Sequence, residues 1–343
     1  MATPFLSVLI DTYNHERFIE QAILSVLAQD IAEGEREIIV VDDGSSDRTP
    51  EIVRRFEPRV RLIRKTNGGQ ASAFNVGIPE CSGVGIAFLD GDDWWAPGKL
   101  RTVAEVFATD DAIGVIGHGI VESLENGVER TVAPEKAERF RLNSLAAARA
   151  FRLRKTYLGT SRMALRASVA REILPAPESL VIEADEYLFT MAAAVSDVVI
   201  LREALCHYRL HSGSLYLAAG SSKSALKRKQ AVHEALAAAL RRELTARDVP
   251  RDAVDCVTEI VQLEGDQIRL MLDGGAPWET VRTENRIYEI LHRNAPQTHR
   301  IFRALTMVPA FVLPPRWFYR ARGWAASHRW YGELRRKFLP MPW

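Results

Sequence analysis

Over the first 115 residues, short apolar runs alternate with longer stretches in which apolar positions recur at helical spacing. Phe5 to Ile10 reads as a strand that stops at Asp11. Phe18 to Gln29 reads as a helix with Phe18, Ile19, Ala22, Ile23, Val26 and Leu27 on its apolar face. Glu37 to Val41 is a second strand, halted by Asp42-Asp43-Gly44-Ser45-Ser46-Asp47. A helix from Thr49 to Phe56 follows, with Asp47 as its cap and Pro50 tolerated in its first turn. Val60 to Arg64 predicts a third strand, Gln70 to Ile78 a helix, and Val84 to Leu89 a fourth strand broken by Asp90-Gly91-Asp92-Asp93. Pro97 opens the next helix. Strands this apolar, each followed by a helix, predict an α/β fold with a mostly parallel central sheet flanked by helices. Ligands of such sheets bind beyond the carboxyl ends of the strands. The polar clusters fall at those ends, at 11–14, 42–47, 66–70 and 90–93.

From 113 to 210 the pattern is more mixed. Ile113 to Val121, Thr160 to Arg166, Val198 to Leu201 and Cys206 to Arg209 read as strands, Glu138 to Ala150 and Ile182 to Val195 as helices. Gly213 to Gly220 reads as a linker, and long helical patterns follow at Lys223 to Arg247, Ala253 to Leu272 and Glu279 to Leu291. The expected organisation is a main domain over 1–215, ligand-binding to about 115 and acceptor-facing beyond, then a helical C-terminal extension over 216–304. The segment 305–343 differs in kind. Leu305 to Leu313 is apolar and Pro314-Pro315 interrupts it; from Arg316 to Lys337 there are six arginines and one lysine against one acid, Glu333. Trp317, Phe318, Tyr319, Trp324, Trp330 and Tyr331 are interleaved with them. Such a segment can lie among the headgroups of an anionic membrane surface, or pack on the protein with a basic outer face.

Composition narrows the classes. With 45 Lys+Arg against 44 Asp+Glu the net charge is +1, which argues against wholesale coating of a nucleic acid. Cys81, Cys206 and Cys256 are far apart and form no CxxC pair, as expected of buried thiols in a reducing compartment. The start, MATPFLSVLIDTYN, has neither a basic leader nor a cleavage signal, and no run reaches ~18 apolar residues, so neither a signal peptide nor a spanning helix is expected.

Asp90-Gly91-Asp92-Asp93 is the sharpest chemical signal. Two carboxylates two residues apart at a strand end, Asp90 and Asp92, can address one divalent cation and its ligands, and Gly91 permits close approach to the backbone. Oxygen donors of this kind suit Mn²⁺ or Mg²⁺, which also hold diphosphates. At the tip of the second strand, Asp43 is placed to accept from the N–H of a nucleobase, with Asp42 the more structural of the pair. Thr12, Tyr13 and Asn14 can line a nucleotide pocket, and Asn67-Gly68-Gly69 offers backbone N–H groups to a pyrophosphate. Asp185, with Glu186 second, is the candidate general base at a helix start. Arg209 and His211 share a face by alternation, Arg209 for phosphate and His211 for the metal or diphosphate.

In this order the pieces resemble family 2 glycosyltransferases, the inverting group with the GT-A fold. SVLIDTYNHERFIEQAILSVLAQ is similar to that family's opening segment, usually SVIIPTYN, with Asp11 in place of proline. EIIVVDDGSSDRT, IAFLDGDDWWAPGKL and HYRLHSGS resemble its later signatures. TNGGQASAFNVGI has Phe74 where arginine is frequent, and IEADEYLF has Ala184 where the usual pair has glutamate. The resemblance covers about 5–215. It implies a nucleotide diphosphate sugar donor, most often a UDP-sugar, and inversion at the anomeric carbon, while the basic aromatic tail points to a glycan or lipid-linked acceptor. By the same analogy Asp90 faces the ribose, Asp92 binds the metal and Asp185 is the base. A cytoplasmic protein, peripheral on the inner face of the cell membrane and open to homo-oligomerisation, is the expected setting. Rival readings fare worse: no GxGxxG follows the first strand and no GxxxxGK[ST] occurs. A sugar nucleotidyltransferase would want a basic glycine-rich loop near the start. A catalytically inactive, glycosyltransferase-like scaffold protein remains the non-enzymatic alternative.

Overall fold

The computed structural model describes residues 6–124, 127–211, 222–293 and 295–326. Leu6–Thr12 (β1) is buried almost throughout and pairs in parallel with Arg36–Asp42 (β2) on one side and Gly85–Asp90 (β4) on the other. Arg61–Arg64 (β3) extends β2, so the first four predicted strands form one parallel block. Beyond β4 come Ala164–Arg166 (β9), antiparallel, then Ile113–Leu124 (β6), Asp197–Leu210 (β10) and the short Trp94–Trp95 (β5). Glu129–Val132 (β7) and Glu138–Phe140 (β8) pair with β6 and β10. The sheet is therefore mixed, with its parallel strands carrying the polar clusters.

Alternation along β1 decides what each face meets. Leu6, Val8 and Ile10 join the core containing Ile19, Ile23 and Val26 of Ile19–Leu27 (α1). Leu9 points the other way, against Gly77 of Gln70–Glu80 (α3), where a Cβ would come within 2.5 Å of Leu9 Cδ1. On that face Phe74 of α3 is fully buried and meets Phe88 edge-on, ring centroids 5.5 Å apart. The departure from arginine at this position thus fills the core. Phe74→Arg is expected to destabilise the protein by at least ~3 kcal/mol, because it removes a packed aromatic and buries an unpaired guanidinium. Chemical denaturation of the two proteins measures it.

Thr49–Arg54 (α2) has Asp47 at its head, accepting from the Thr49 N–H (3.0 Å) and hydroxyl (2.6 Å). Lys99–Thr109 (α4), Leu145–Arg154 (α5), Ala167–Glu172 (α6) and Ala184–Val195 (α7) follow. Three expectations need correction. Val198–Leu201 and Cys206–Arg209 are one 14-residue strand, whose exposed Arg202 and Glu203 sit at a register shift and mimic a break. The helix expected from Glu138 begins only at Leu145, where Ser144 Oγ caps it, and Glu138–Phe140 is a strand. Within Thr160–Arg166 only Ala164–Arg166 is strand, after a 3₁₀ turn.

The chain divides into two compact units. The first holds the sheet. The second gathers residues 144–156 with Lys223–Ala246 (α8) up to Thr245 and the helices after Pro250, so the boundary is not one cut. In it Arg251–Asp273 (α9) packs on α5, with Glu264 accepting from Arg152 (2.9 Å) and Lys155 (3.1 Å). Pro277–His292 (α10) carries the buried Glu284, paired with Arg303 of Gln297–Met307 (α11) and Arg322 of Pro315–Ala326 (α12). Met307, Ala310, Phe318 and Tyr319 pack on Leu270 of α9, so the start of the basic aromatic segment is built into this unit. Trp317 and Trp324 are exposed, with Leu305, Val308, Phe311 and Val312. Among the described residues no helix is long and apolar enough to cross a membrane. Trp330, Tyr331, the rest of the basic run and the whole of the expected linker lie outside the described residues.

Candidate active site

The carboxyl ends of β1, β2 and β4 open on one edge of the sheet, with Thr12 opposite Asp42 and Asp11 opposite Asp90. The loop after β1 is tied to the loop after β2. Asn14, at φ 57°, donates its N–H to Ser45 Oγ (2.8 Å) and accepts the Ser46 N–H at Oδ1 (2.8 Å). His15 and Glu16 donate theirs to Thr49 Oγ1 and Asp47 Oδ2. The Asn14 side chain therefore helps to build the loop while remaining exposed. Thr12 is buried, its Oγ1 3.1 Å from His15 Nδ1. Tyr13, at 45% exposure, and Asn14 are open to a ligand.

Asp43 is the hub of the next loop. Its Oδ1 accepts from Lys65 Nζ (2.6 Å) and the Gly68 N–H (3.0 Å), and its Oδ2 from the Gly69 N–H (2.7 Å). This corrects the expectation for Gly68, whose N–H is spent on Asp43 rather than turned to a pyrophosphate; Asn67 is exposed at the rim. A carboxylate offers about four acceptor positions, so Asp43 keeps one for a base N–H. Asp42 is sealed beneath, accepting from the Ser45 N–H (3.1 Å) and Arg64 Nε (3.1 Å).

After β4 the chain turns sharply. A Cβ on Gly91 would come within 2.7 Å of His15 Nδ1, so the glycine is required by Thr12 and His15 pressing on it, not by a ligand. Asp92 Oδ2 lies 3.1 Å from His211 Nε2 and 3.8 Å from His15 Nε2. Burial pushes the Asp92 carboxyl up, but the His211 hydrogen bond and the two imidazoles together bring it below the usual range. Arg209 is held rather than offered: its N–H donates to Asp93 Oδ1 (2.9 Å), Nε to the Asp92 carbonyl (2.8 Å) and a terminal nitrogen to Gln21 (2.6 Å). Its guanidinium lies over the Phe18 and Trp94 rings. Arg209 therefore holds the Asp92 turn, and its half-buried side chain also lines a surface pocket with Arg17, Phe18 and Trp94.

Asp90 meets Ser161, which accepts the Asp90 N–H (3.0 Å) and faces Oδ2 (3.3 Å). Burial first, then Asp11, Asp93, Asp92 and Asp185, drive its carboxyl well above the ordinary value. Beneath, Lys99 is buried with Nζ on the Ser161 carbonyl (2.8 Å) and over the Trp95 ring, pushed down to about 7 by burial. Asp185, in the first turn of α7, accepts at Oδ2 from the Thr160 N–H (3.0 Å) and hydroxyl (3.2 Å). Burial raises it despite those donors. Asp185 is among the charges acting on Asp11 and Asp90. Ala184 is buried, its N–H on Gln70 Oε1 (2.9 Å), which anchors the start of α7 beside that of α3.

Four carboxyl groups, Asp11, Asp90, Asp92 and Asp185, thus act on one another at one strand edge. Sequence reasoning missed Asp11, His15, Thr160, Ser161 and Lys99. Asp11 stood inside a recognised motif, but the others carry no signal beyond residue type. Among the described residues no group of three or more His, Cys, Asp or Glu side chains is arranged to hold a metal ion.

Residues 7–174 match the family model for glycosyl transferase family 2. An uncharacterized glycosyltransferase of Nostoc sp. is 33% identical over 227 residues, covering 64% of this chain and 69% of the relative. The uncharacterized glycosyltransferase EpsJ of Bacillus subtilis is 35% identical over 39% of each chain. Among solved structures, S. aureus TarS 1–349 in complex with UDP-GlcNAc matches with a TM-score of 0.54, 18% identity and coverage of 92% and 91%. The mannosyltransferase PcManGT of Pyrobaculum calidifontis, in complex with GDP-Man and Mn²⁺, matches at 0.52, 17% identity and coverage of 91% and 86%. The shared architecture is the GT-A fold, here with a helical C-terminal extension.

Proposed function

Because the chain belongs to glycosyl transferase family 2, and so transfers a sugar from a nucleotide-sugar donor, we propose that it does so with inversion from a UDP-sugar. The acceptor is a hydroxyl of a glycan or lipid-linked precursor. The observation that carries this reading is the Asp185 carboxylate, fixed by two Thr160 donors and acting on the carboxyls at the ends of β1 and β4.

In this scheme Tyr13 and Asp43 receive the base, and Asp90 the ribose. Asp185 removes the proton of the acceptor hydroxyl, whose oxygen attacks C1 of the sugar from the face opposite the diphosphate. As the new bond forms, the bond from C1 to the diphosphate oxygen breaks and the nucleoside diphosphate leaves. Asp92 and His211 fit a divalent cation: Mn²⁺ or Mg²⁺ is commonly held by one or two carboxylates with phosphates and water completing the shell, so a full protein cage is not required. Bound there, the cation would neutralise charge on the leaving group. Repulsion among the neighbouring carboxyls, which helps to raise Asp11 and Asp90, also favours a cation there. The test is turnover of UDP-glucose, UDP-galactose, UDP-N-acetylglucosamine and GDP-mannose with membrane glycolipid extracts. Products should carry the anomeric configuration opposite to the donor's. Retained configuration would overturn the single displacement.

We further propose that the exposed face of α11 and α12 rests on anionic lipid at the inner face of the cell membrane. Leu305, Val308, Val312 and Trp317 stand out from it, and no acid lies between Glu289 and the end of α12. Apolar insertion with flanking arginines is how such faces bind. Deleting 305–343 would strip Phe318 and Tyr319 from the core, so point changes are the better test. Leu305→Ser with Val312→Ser and Trp317→Ser should reduce co-sedimentation with phosphatidylglycerol vesicles at least ~10-fold. Unchanged co-sedimentation would rule this face out.

A further inference from the structure

Asp11 has no part in the reaction as derived above, yet its position demands an explanation. On β1 it shares the α3-facing side with Leu9, and on the neighbouring strand Asp90 lies in register with it. The main chain is fixed from both sides by β2 and β4, and the Gly91 N–H donates to the Asp11 carbonyl (2.9 Å). The side chain cannot relax by moving the strand. Its Oδ1 is shut off from solvent and accepts no hydrogen bond. Buried carboxyl oxygens are normally satisfied, and leaving one without a donor is costly.

The groups acting on Asp11 say what space it borders. Burial and then Asp185, Asp92 and Asp43 raise its carboxyl to about 8, against a hydrogen bond from its own backbone N–H. One neighbour is the proposed base and another the proposed anchor of the leaving group. In a single displacement C1 must lie between the acceptor oxygen at Asp185 and the diphosphate oxygen at Asp92. In that scheme the ring attached to that carbon would lie on the side of Asp11 from which Asp185 and Asp92 act, and the ribose on the side of Asp90. Ring hydroxyls are the hydrogen-bond donors that this carboxyl lacks.

We infer that Asp11 is a specificity-determining residue that accepts a hydrogen bond from a hydroxyl of the transferred sugar. The inference rests on the proposed transfer reaction. A site built to pair with a sugar hydroxyl rejects a donor lacking it far more strongly than an apolar pocket could, because the buried polar group is then left unpaired. Proline, usual at this position in the resembling motif, has no such acceptor. Asp11 would thus give this chain a donor preference that proline-bearing relatives lack.

Binding measurements separate sugar recognition from nucleotide recognition. The probes are UDP, GDP, UDP-glucose, UDP-galactose, UDP-N-acetylglucosamine and GDP-mannose, each with Mn²⁺, on the full chain and on Asp11→Ala and Asp11→Asn. Asp11→Asn keeps the side-chain shape, so it guards against a result that reflects misfolding. For the nucleotide sugar that the native protein binds best, Asp11→Ala should weaken binding at least ~10-fold. Binding of the matching nucleoside diphosphate should stay within about twofold. The deoxy analogue lacking the recognised hydroxyl should bind native protein and Asp11→Ala alike. Equal weakening of nucleotide and nucleotide sugar would overturn the inference, as that marks a structural or metal-binding role. So would unchanged binding of both. A folded native protein that binds no nucleotide sugar would instead contradict the transfer reaction, a failure distinguishable from that of Asp11 alone.

Discussion

Asp185→Asn is expected to lower kcat by roughly 10²–10⁴-fold, the usual worth of a general base, while nucleotide-sugar binding stays within about twofold. Asparagine keeps the shape and can still meet the Thr160 N–H, so the first turn of α7 should survive. What it loses is the ability to take a proton from the acceptor. The pH profile adds a readout that a packing defect would not reproduce. Burial raises the Asp185 carboxyl above its ordinary value, and only the ionised form is a base. As pH falls through that raised value the base is protonated, so kcat/KM should fall about tenfold per pH unit there. The acid limb should therefore lie above the range of an exposed aspartate and disappear in Asp185→Asn. Steady-state kinetics across pH on both proteins checks this. An asparagine variant with near-native kcat would move the base elsewhere.

Asp92→Ala is expected to reduce kcat/KM by at least ~10²-fold, comparable to removing one electrostatic stabiliser of developing charge. The side chain is held between His211 and His15, so its removal also leaves two imidazoles without their shared carboxylate. The loss should fall on both binding and turnover. Titrating Mn²⁺ at fixed donor should show a weaker apparent affinity in the variant, and raising Mn²⁺ should recover part of the rate. A variant indistinguishable from native in activity and in Mn²⁺ response would take Asp92 out of the metal site.

Much of the first hundred residues was legible in the sequence, for a physical reason. Parallel strands buried on both faces are continuous apolar runs, and Val8 to Ile10, Ile38 to Val41 and Ile86 to Leu89 show it without ambiguity. Each run ends where polar residues begin, so the strand ends and the ligand edge were read together. Side-chain commitments were not legible. Nothing in Asn67-Gly68-Gly69 says that two of its N–H groups turn inward to Asp43, and nothing in HYRLH says that Arg209 is clamped between Phe18 and Trp94. These depend on contacts across long sequence separations. Strand β10 was misread as two because its exposed Arg202-Glu203 pair breaks the apolar run without breaking the backbone pairing to β6 as a whole. In the sequence, Asp11 shows only as the stop of the first strand and a replacement of proline. Its meaning emerges only when β4 is laid beside β1 and Asp90 comes opposite it.

The central claim is that the strand edge carrying Asp43, Asp90 and Asp92 is a nucleotide-sugar site. The most direct measurement is calorimetric titration of UDP-sugars and GDP-mannose into the folded native chain, with and without Mn²⁺, repeated with Asp92→Ala. Saturable, Mn²⁺-dependent binding of at least one donor, abolished or strongly weakened in the variant, is the predicted result. Donor binding that ignores both Mn²⁺ and the loss of Asp92 would contradict the metal-bridged site, and no binding by any donor would contradict the site altogether.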